Sequence, residues 1–151
     1  MTSLVEMRRL LDFSDLRQHQ HDRQLDQACR SLTPLERELE EIEKHRCSLN
    51  DLLRSYRLQA QSLSHAELLA LLRRQAVIRR QISTLALDEA RVVEQYRKAT
   101  LHVEQLQQRR KLLQSRHQKY QSLEQRLLAE HRSRQWRQEE NDIEELLVSS
   151  K

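Results

Sequence analysis

The chain contains no glycine, and proline occurs once, at Pro34, in 151 residues. Tight hairpins depend on glycine, asparagine-glycine pairs and proline, so a sheet joined by such turns is nearly excluded. A glycine-rich phosphate loop is excluded outright. Aromatic residues make up 3%, too few for an ordinary globular core of this length. No apolar run approaches the roughly 20 residues that span a bilayer. Near the N-terminus, Arg8 and Arg9 interrupt the apolar residues, so no signal-peptide core is present.

What the chain does contain is charge and helix formers. Charged residues are 33% of the total, mean hydropathy is -0.88, and Leu, Glu, Gln, Arg and Ala dominate. The 27 basic and 23 acidic residues give a net charge of +4. They mix along the sequence, which argues against a nucleic-acid binder. Only Arg126 to Arg137 reads as locally basic, and Glu139, Glu140, Asp142, Glu144 and Glu145 follow it.

The apolar residues fall in alternating steps of three and four. One run passes through Leu4, Met7, Leu11, Leu25, Ala28, Leu32, Leu35, Leu39, Ile42, Leu49, Leu53, Tyr56 and Leu63. A second passes through Leu68, Leu71, Ile78, Ile82, Leu85, Val92, Tyr96, Ala99, Val103, Leu106, Leu113, Tyr120 and Leu127. This spacing is a coiled-coil stripe. Ser14, Gln18 and His21 make the first stripe polar near the N-terminus, and Arg110 and His117 are expected to face them.

The stripes break between Gln61 and Glu67, where Ser64 and Glu67 form a capping box that starts a helix. The expected fold is therefore all-α, a long two-helix antiparallel coiled-coil hairpin with a C-terminal helical overhang. Helix one covers about 3–61, the turn about 62–65 and helix two about 65–147, in a single elongated module over 1–151. Leu4 is expected to face the region of Glu124, which leaves the helix beyond Leu127 without a partner inside the chain. A second capping box, Thr33-Pro34-Leu35-Glu36, predicts either a kink in a continuous helix one or a short break. The stripe keeps phase through it, which favours the kink.

A folded-back rod offers no cleft for chemistry. His19 and His21 lie on different sides of a helix, and no Cys or His pair has zinc-finger spacing. No catalytic residue, cofactor or metal site is expected, and the chain does not read as an enzyme. Cys29 and Cys47 sit roughly 27 Å apart along one helix, so they read as free thiols of a reducing compartment.

Apolar residues outside the stripes are candidate contacts. Leu69, Leu72 and Ala76 run to one side of Leu68, Leu71 and Gln75. They either widen the hairpin interface or dock another protein. Val5, Leu10, Phe13 and Leu16 surround the start of helix one. Trp136, Ile143, Leu146 and Leu147 lie on the overhang.

The segment from Leu63 to Ile82 carries Leu63-Ser64, Glu67, Ala70-Leu71-Leu72-Arg73, Gln75 and Arg79-Arg80-Gln81-Ile82. This pattern, over about 20 of 151 residues, resembles the turn-proximal part of type III secretion stalk proteins of the InvI, SpaM and YscO kind. Those proteins are related to the flagellar component FliJ and similar in shape to the coiled coil of the rotary ATP synthase gamma subunit. The resemblance implies a central stalk in the axial hole of a hexameric export ATPase, touching the cytoplasmic domain of the export gate. Some members bind secretion chaperones. It implies a bacterial cytoplasmic location at the inner-membrane apparatus, with no nucleic acid and no direct membrane insertion. Leu68, Leu69, Leu72, Gln75, Ala76 and Arg79 would meet the gate or a chaperone. Val5, Leu10, Phe13, Arg132, Arg134, Trp136, Ile143, Leu146 and Leu147 would meet the ATPase. The alternative is a generic coiled-coil adaptor or homo-oligomer. A hairpin stalk is expected to be a monomer near 18.2 kDa.

Overall fold

The computed structural model describes residues 3–59 and 62–151. They form two helices, α1 (Leu4–Gln59) and α2 (His65–Ser149), and no strand is present among them. Ala60 and Gln61, the expected end of helix one, lie outside the described residues. The fold is all-α, with the two helices packed against each other.

Both helices begin with the same device. Ser64 Oγ accepts from the Glu67 amide at 3.3 Å, and Glu67 Oε2 accepts from the Ser64 amide at 3.4 Å. At the start of α1, Ser3 Oγ and the Glu6 carboxylate make the same exchange at 3.2 and 3.0 Å. Each box satisfies amides that the first turn leaves open. The box at Thr33 is not used, because α1 runs through Pro34 without interruption. Glu36 instead accepts the Tyr96 hydroxyl at 3.2 Å. No described residue adopts positive φ, so Ser62–Ser64 make no demand for glycine.

Contacts divide the chain into two units. The turn unit, Asp26–Gln105, contains the reversal and the adjoining halves of both helices. Its core is Ile42 and Leu49 on α1 with Leu71, Ile78, Val92 and Val103 on α2, and Val92 is fully buried. Gln75 is buried among them. Like Gln75, Arg46 and Glu89 occupy seam positions that the apolar count skips. Arg46 Nη1 donates to Glu89 Oε2 at 2.9 Å, and Arg46 also bonds Glu43 on its own helix. Arg91 and Glu38 make a looser cross-helix pair at 3.8 Å.

The terminal unit, Met1–Leu25 with Leu106–Lys151, has Met7, Leu25 and Leu113 as its core. Its seam is polar where the sequence predicts. His21 is buried, and its Nε2 lies 2.6 Å from the Leu106 carbonyl oxygen. A carbonyl only accepts, so Nε2 carries the hydrogen. His117 Nδ1 bonds Ser14 Oγ at 3.0 Å, and the Gln121 amide nitrogen meets His117 Nε2 at 3.2 Å. Arg110 is exposed and pairs with Asp22 at 3.2 Å. Arg8 reaches Glu124 at 3.9 Å. Leu4 and Leu127 line the same groove, one helical turn beyond the expected Glu124. From Ala129 to Lys151 every residue is exposed, so the last turns of α2 have no partner within the unit.

Candidate functional site: exposed faces of the two units

The surface concavities are shallow grooves. One of about 410 Å³ in the terminal unit is lined by Ser3, Leu4, Met7, Leu123, Leu127, Glu130, His131 and Arg134. It forms where α1 begins and α2 continues past it. Its floor is apolar, and its rim carries one acid, one base and one imidazole. Among the described residues no three His, Cys, Asp or Glu side chains are placed to hold a metal ion. Cys29 and Cys47 are free and exposed. No helix is long and apolar enough to cross a membrane.

The terminal unit holds the residues singled out for the ATPase contact. Val5, Leu10, Phe13, Trp136, Ile143, Leu146 and Leu147 are all exposed, Trp136 at 70%. Arg132 and Arg134 are exposed beside Trp136 in sequence. A full turn of apolar side chains in water is costly unless something covers it, so this stretch of α2 has the character of an interface. Its charge changes sign along the helix, from Arg126, Arg132, Arg134 and Arg137 to Glu139, Glu140, Asp142, Glu144 and Glu145.

The turn unit holds the residues singled out for the gate contact. Leu69 and Leu72 are 44% and 49% exposed, and Ala76 and Arg79 are exposed as well. They therefore stand outside the helix interface instead of widening it. Leu68 is half-buried, and Gln75 faces into the seam between Leu71 and Ile78 at 7% exposure. Gln75 thus has a seam position.

The sequence pattern did not expose a concentration of charge in the turn unit. Residues 47–87 carry Arg54, Arg57, Arg73, Arg74, Arg79 and Arg80 against Asp51 and Glu67. Six of the 27 basic and two of the 23 acidic residues lie there, which leaves the rest of the chain with 21 of each. The whole net charge of +4 therefore resides in this segment. The arginines sit in two short stretches on either side of the turn, and the fold lays those stretches side by side. All six are exposed, and among the described residues none forms an ion pair. The run from Arg73 to Arg80, four arginines with no acid among them, is a signal in the sequence itself.

Elsewhere charges are locally compensated. Arg97 grips the Glu94 carboxylate with Nε at 3.0 Å and Nη2 at 2.7 Å. That hydrogen bonding holds the Glu94 carboxyl below the usual carboxylate range and raises Arg97. Both groups lie in open solvent, so the pair is local surface chemistry, with no cleft around it.

Comparison with known proteins supports the fold and the resemblance. The crystal structure of the type III secretion protein YscO from Vibrio parahaemolyticus matches with a TM-score of 0.77 over 94% of this chain and 93% of that chain. At 21% identity, that likeness speaks for a shared fold. No curated protein sequence matches significantly. The family model described as Salmonella surface presentation of antigen gene type M protein matches residues 6–147. With nearly the whole length covered, the chain belongs to this SpaM family of type III secretion proteins.

Proposed function

We propose that the protein is the non-catalytic central stalk of a type III secretion export apparatus, linking and regulating the hexameric export ATPase and the export gate. The observation that carries this reading is the presence of two separate exposed apolar faces on one family member. One is the unpartnered end of α2 in the terminal unit, with Trp136, Ile143, Leu146 and Leu147. The other is the Leu69, Leu72 and Ala76 stripe in the turn unit. A bridging protein needs two such faces, and an enzyme needs a desolvated cleft that these grooves do not resemble.

In this reading the terminal unit meets the ATPase through Val5, Leu10, Phe13, Arg132, Arg134 and the end of α2. The turn unit meets the gate, or a secretion chaperone, through Leu69, Leu72, Ala76 and Arg79. The location is the bacterial cytoplasm beside the inner-membrane apparatus. A homo-oligomer zipped through the stripes is less well supported, because the stripe residues of each unit are already covered within the chain.

The test is a chain ending at Arg126, assayed for binding to the ATPase and stimulation of ATP hydrolysis. Loss of both with helix content kept per residue supports the reading. Normal binding and stimulation would exclude the end of α2 as the contact. Leu69→Glu with Leu72→Glu is the matching test of the turn unit, and secretion that survives it removes that face from the proposal.

A further inference from the structure

We infer that the Leu69, Leu72 and Ala76 face of the turn unit receives an acidic amphipathic helix of its protein partner, held between two rows of arginines. The inference rests on the reading that this face meets the gate or a chaperone, and it adds the chemistry that the partner must present.

The helical period sorts the arginines by face. On α2, Leu72 and Arg79 follow the seam residues Leu71 and Ile78. Leu69 and Ala76 stand one step further out on the same side. On α1, Arg57 follows Tyr56 and Arg54 follows Leu53 in the same phase. A side chain in that phase reaches across to α2, as Glu36 does after Leu35, where it accepts the Tyr96 hydroxyl at 3.2 Å. In an antiparallel pair these two flanks form one face.

Arg54 and Arg57 therefore edge the apolar stripe from α1. Arg73 and Arg80 edge it along the outer side of α2, and Arg79 stands one turn past Ala76. Arg74 precedes Gln75 and falls on the opposite face. The two acids of residues 47–87 are elsewhere. Glu67 precedes Leu68 as Arg74 precedes Gln75, and Asp51 lies on the outer side of α1. The stripe is about 10 Å long at 1.5 Å per residue. Among the described residues none of the arginines around it has an ion-pair partner.

This arrangement selects its occupant. Exposed apolar residues at three-four spacing are a surface on which a third helix packs, through a stripe of the same spacing. The flanks of that helix would lie against Arg54 and Arg57 on one side and Arg73 and Arg80 on the other. Carboxylates there meet planar guanidinium forks that bind them in pairs. Basic flanks would be repelled. A second copy of this chain offers the right signs through Glu139 to Leu147. The stalk reading gives that segment to the ATPase, so the acidic helix belongs to the gate or the chaperone.

The experiment titrates the full chain with the purified cytoplasmic domain of the gate and, separately, with the chaperones of the same system, by calorimetry at rising salt. Hydrogen exchange on the protein that binds maps the covered segment. Arg57→Glu is expected to weaken binding about tenfold, and Arg74→Glu, the same charge change on the other face, less than about threefold. The protected segment is expected to be one amphipathic helix with acidic flanks. Both positions are exposed, and circular dichroism verifies that each variant folds. Equal effects of the two changes, or protection of a segment without acids, overturn the inference. The leucine contact still stands in that case if Leu69→Glu with Leu72→Glu abolishes binding. Parent-like binding by the leucine variant, or no binding by any of these proteins, removes the contact and the inference with it. Salt-sensitive dimerisation of the chain alone, lost both in Arg57→Glu and in Glu144→Gln with Glu145→Gln, assigns the face to a second copy and also overturns the inference.

Discussion

Arg46 and Glu89 occupy facing seam positions and bond each other at 2.9 Å between the apolar layers of the turn unit. Each side chain keeps about a third of its surface in water, 36% and 33%, so the pair is screened more than a core pair. Glu89→Gln is expected to cost about 1 kcal/mol or less in urea unfolding. Arg46→Leu with Glu89→Leu is expected to be at least as stable as the parent, because a packed apolar layer replaces two desolvated charges. A double variant clearly weaker than the single one would show that the ion pair contributes net stability.

His21 is the one buried imidazole, and it spends its Nε2 hydrogen on the Leu106 carbonyl. That oxygen already has the Arg110 amide of its own helix as a partner at the regular spacing. Removing the imidazole therefore orphans nothing. His21→Leu is expected to raise the stability of the terminal unit by about 1 kcal/mol, the scale of one added methylene or more in a seam. Hydrogen exchange of the Leu25 and Leu113 amides is the readout, and faster exchange would contradict the prediction.

Thr100 Oγ1 is buried and has no hydrogen-bond partner. Valine has the same shape without the hydroxyl. Thr100→Val is expected to stabilise the turn unit by about 1 kcal/mol, since the cost of a dry, unpaired oxygen disappears. Thermal unfolding of the purified variant measures it, and a lowered midpoint would mean that the hydroxyl is hydrated in solution.

Glu94 supplies a pH signature. Its folded carboxyl is held below the unfolded value by Arg97, so the pair stabilises the fold above the unfolded value. That contribution disappears as pH falls through the lower, folded value. Because the pair is in open solvent, salt should erase most of it. Carboxyl titration by NMR at low and high salt is the measurement. A Glu94 carboxyl that titrates with the other surface glutamates at low salt would refute the pairing.

The fold was legible because a three-four stripe reports helix faces directly. Leu4 to Tyr56 and Leu68 to Leu127 are buried or half-buried wherever that count lands. Arg46 and Glu89 escaped the count because it looked only for apolar residues, although the spacing itself points to both. Pro34 misled less than its capping box suggested, since stripe phase outweighed the local signal. The candidate contact faces were harder. Leu69 and Leu72 were ambiguous until their exposure was known, because one turn of helix separates a flank from a core position. Gln75 shares their motif, and its helical angle puts it in the seam with Leu71 and Ile78. The arginine concentration is legible in part, since Arg73, Arg74, Arg79 and Arg80 follow one another with no acid between them, and the reversal adds Arg54 and Arg57 beside them.

Pro34 leaves one more mark on α1. It brings no amide, so the carbonyl of Arg30, four residues earlier, receives no hydrogen bond from the helix. Both residues are on the solvent side, where water can serve that oxygen. Bending α1 at this point stretches one fewer backbone bond than bending it elsewhere. A protein whose long helix must follow a moving neighbour would flex first here, and its joint is a missing hydrogen instead of a loop.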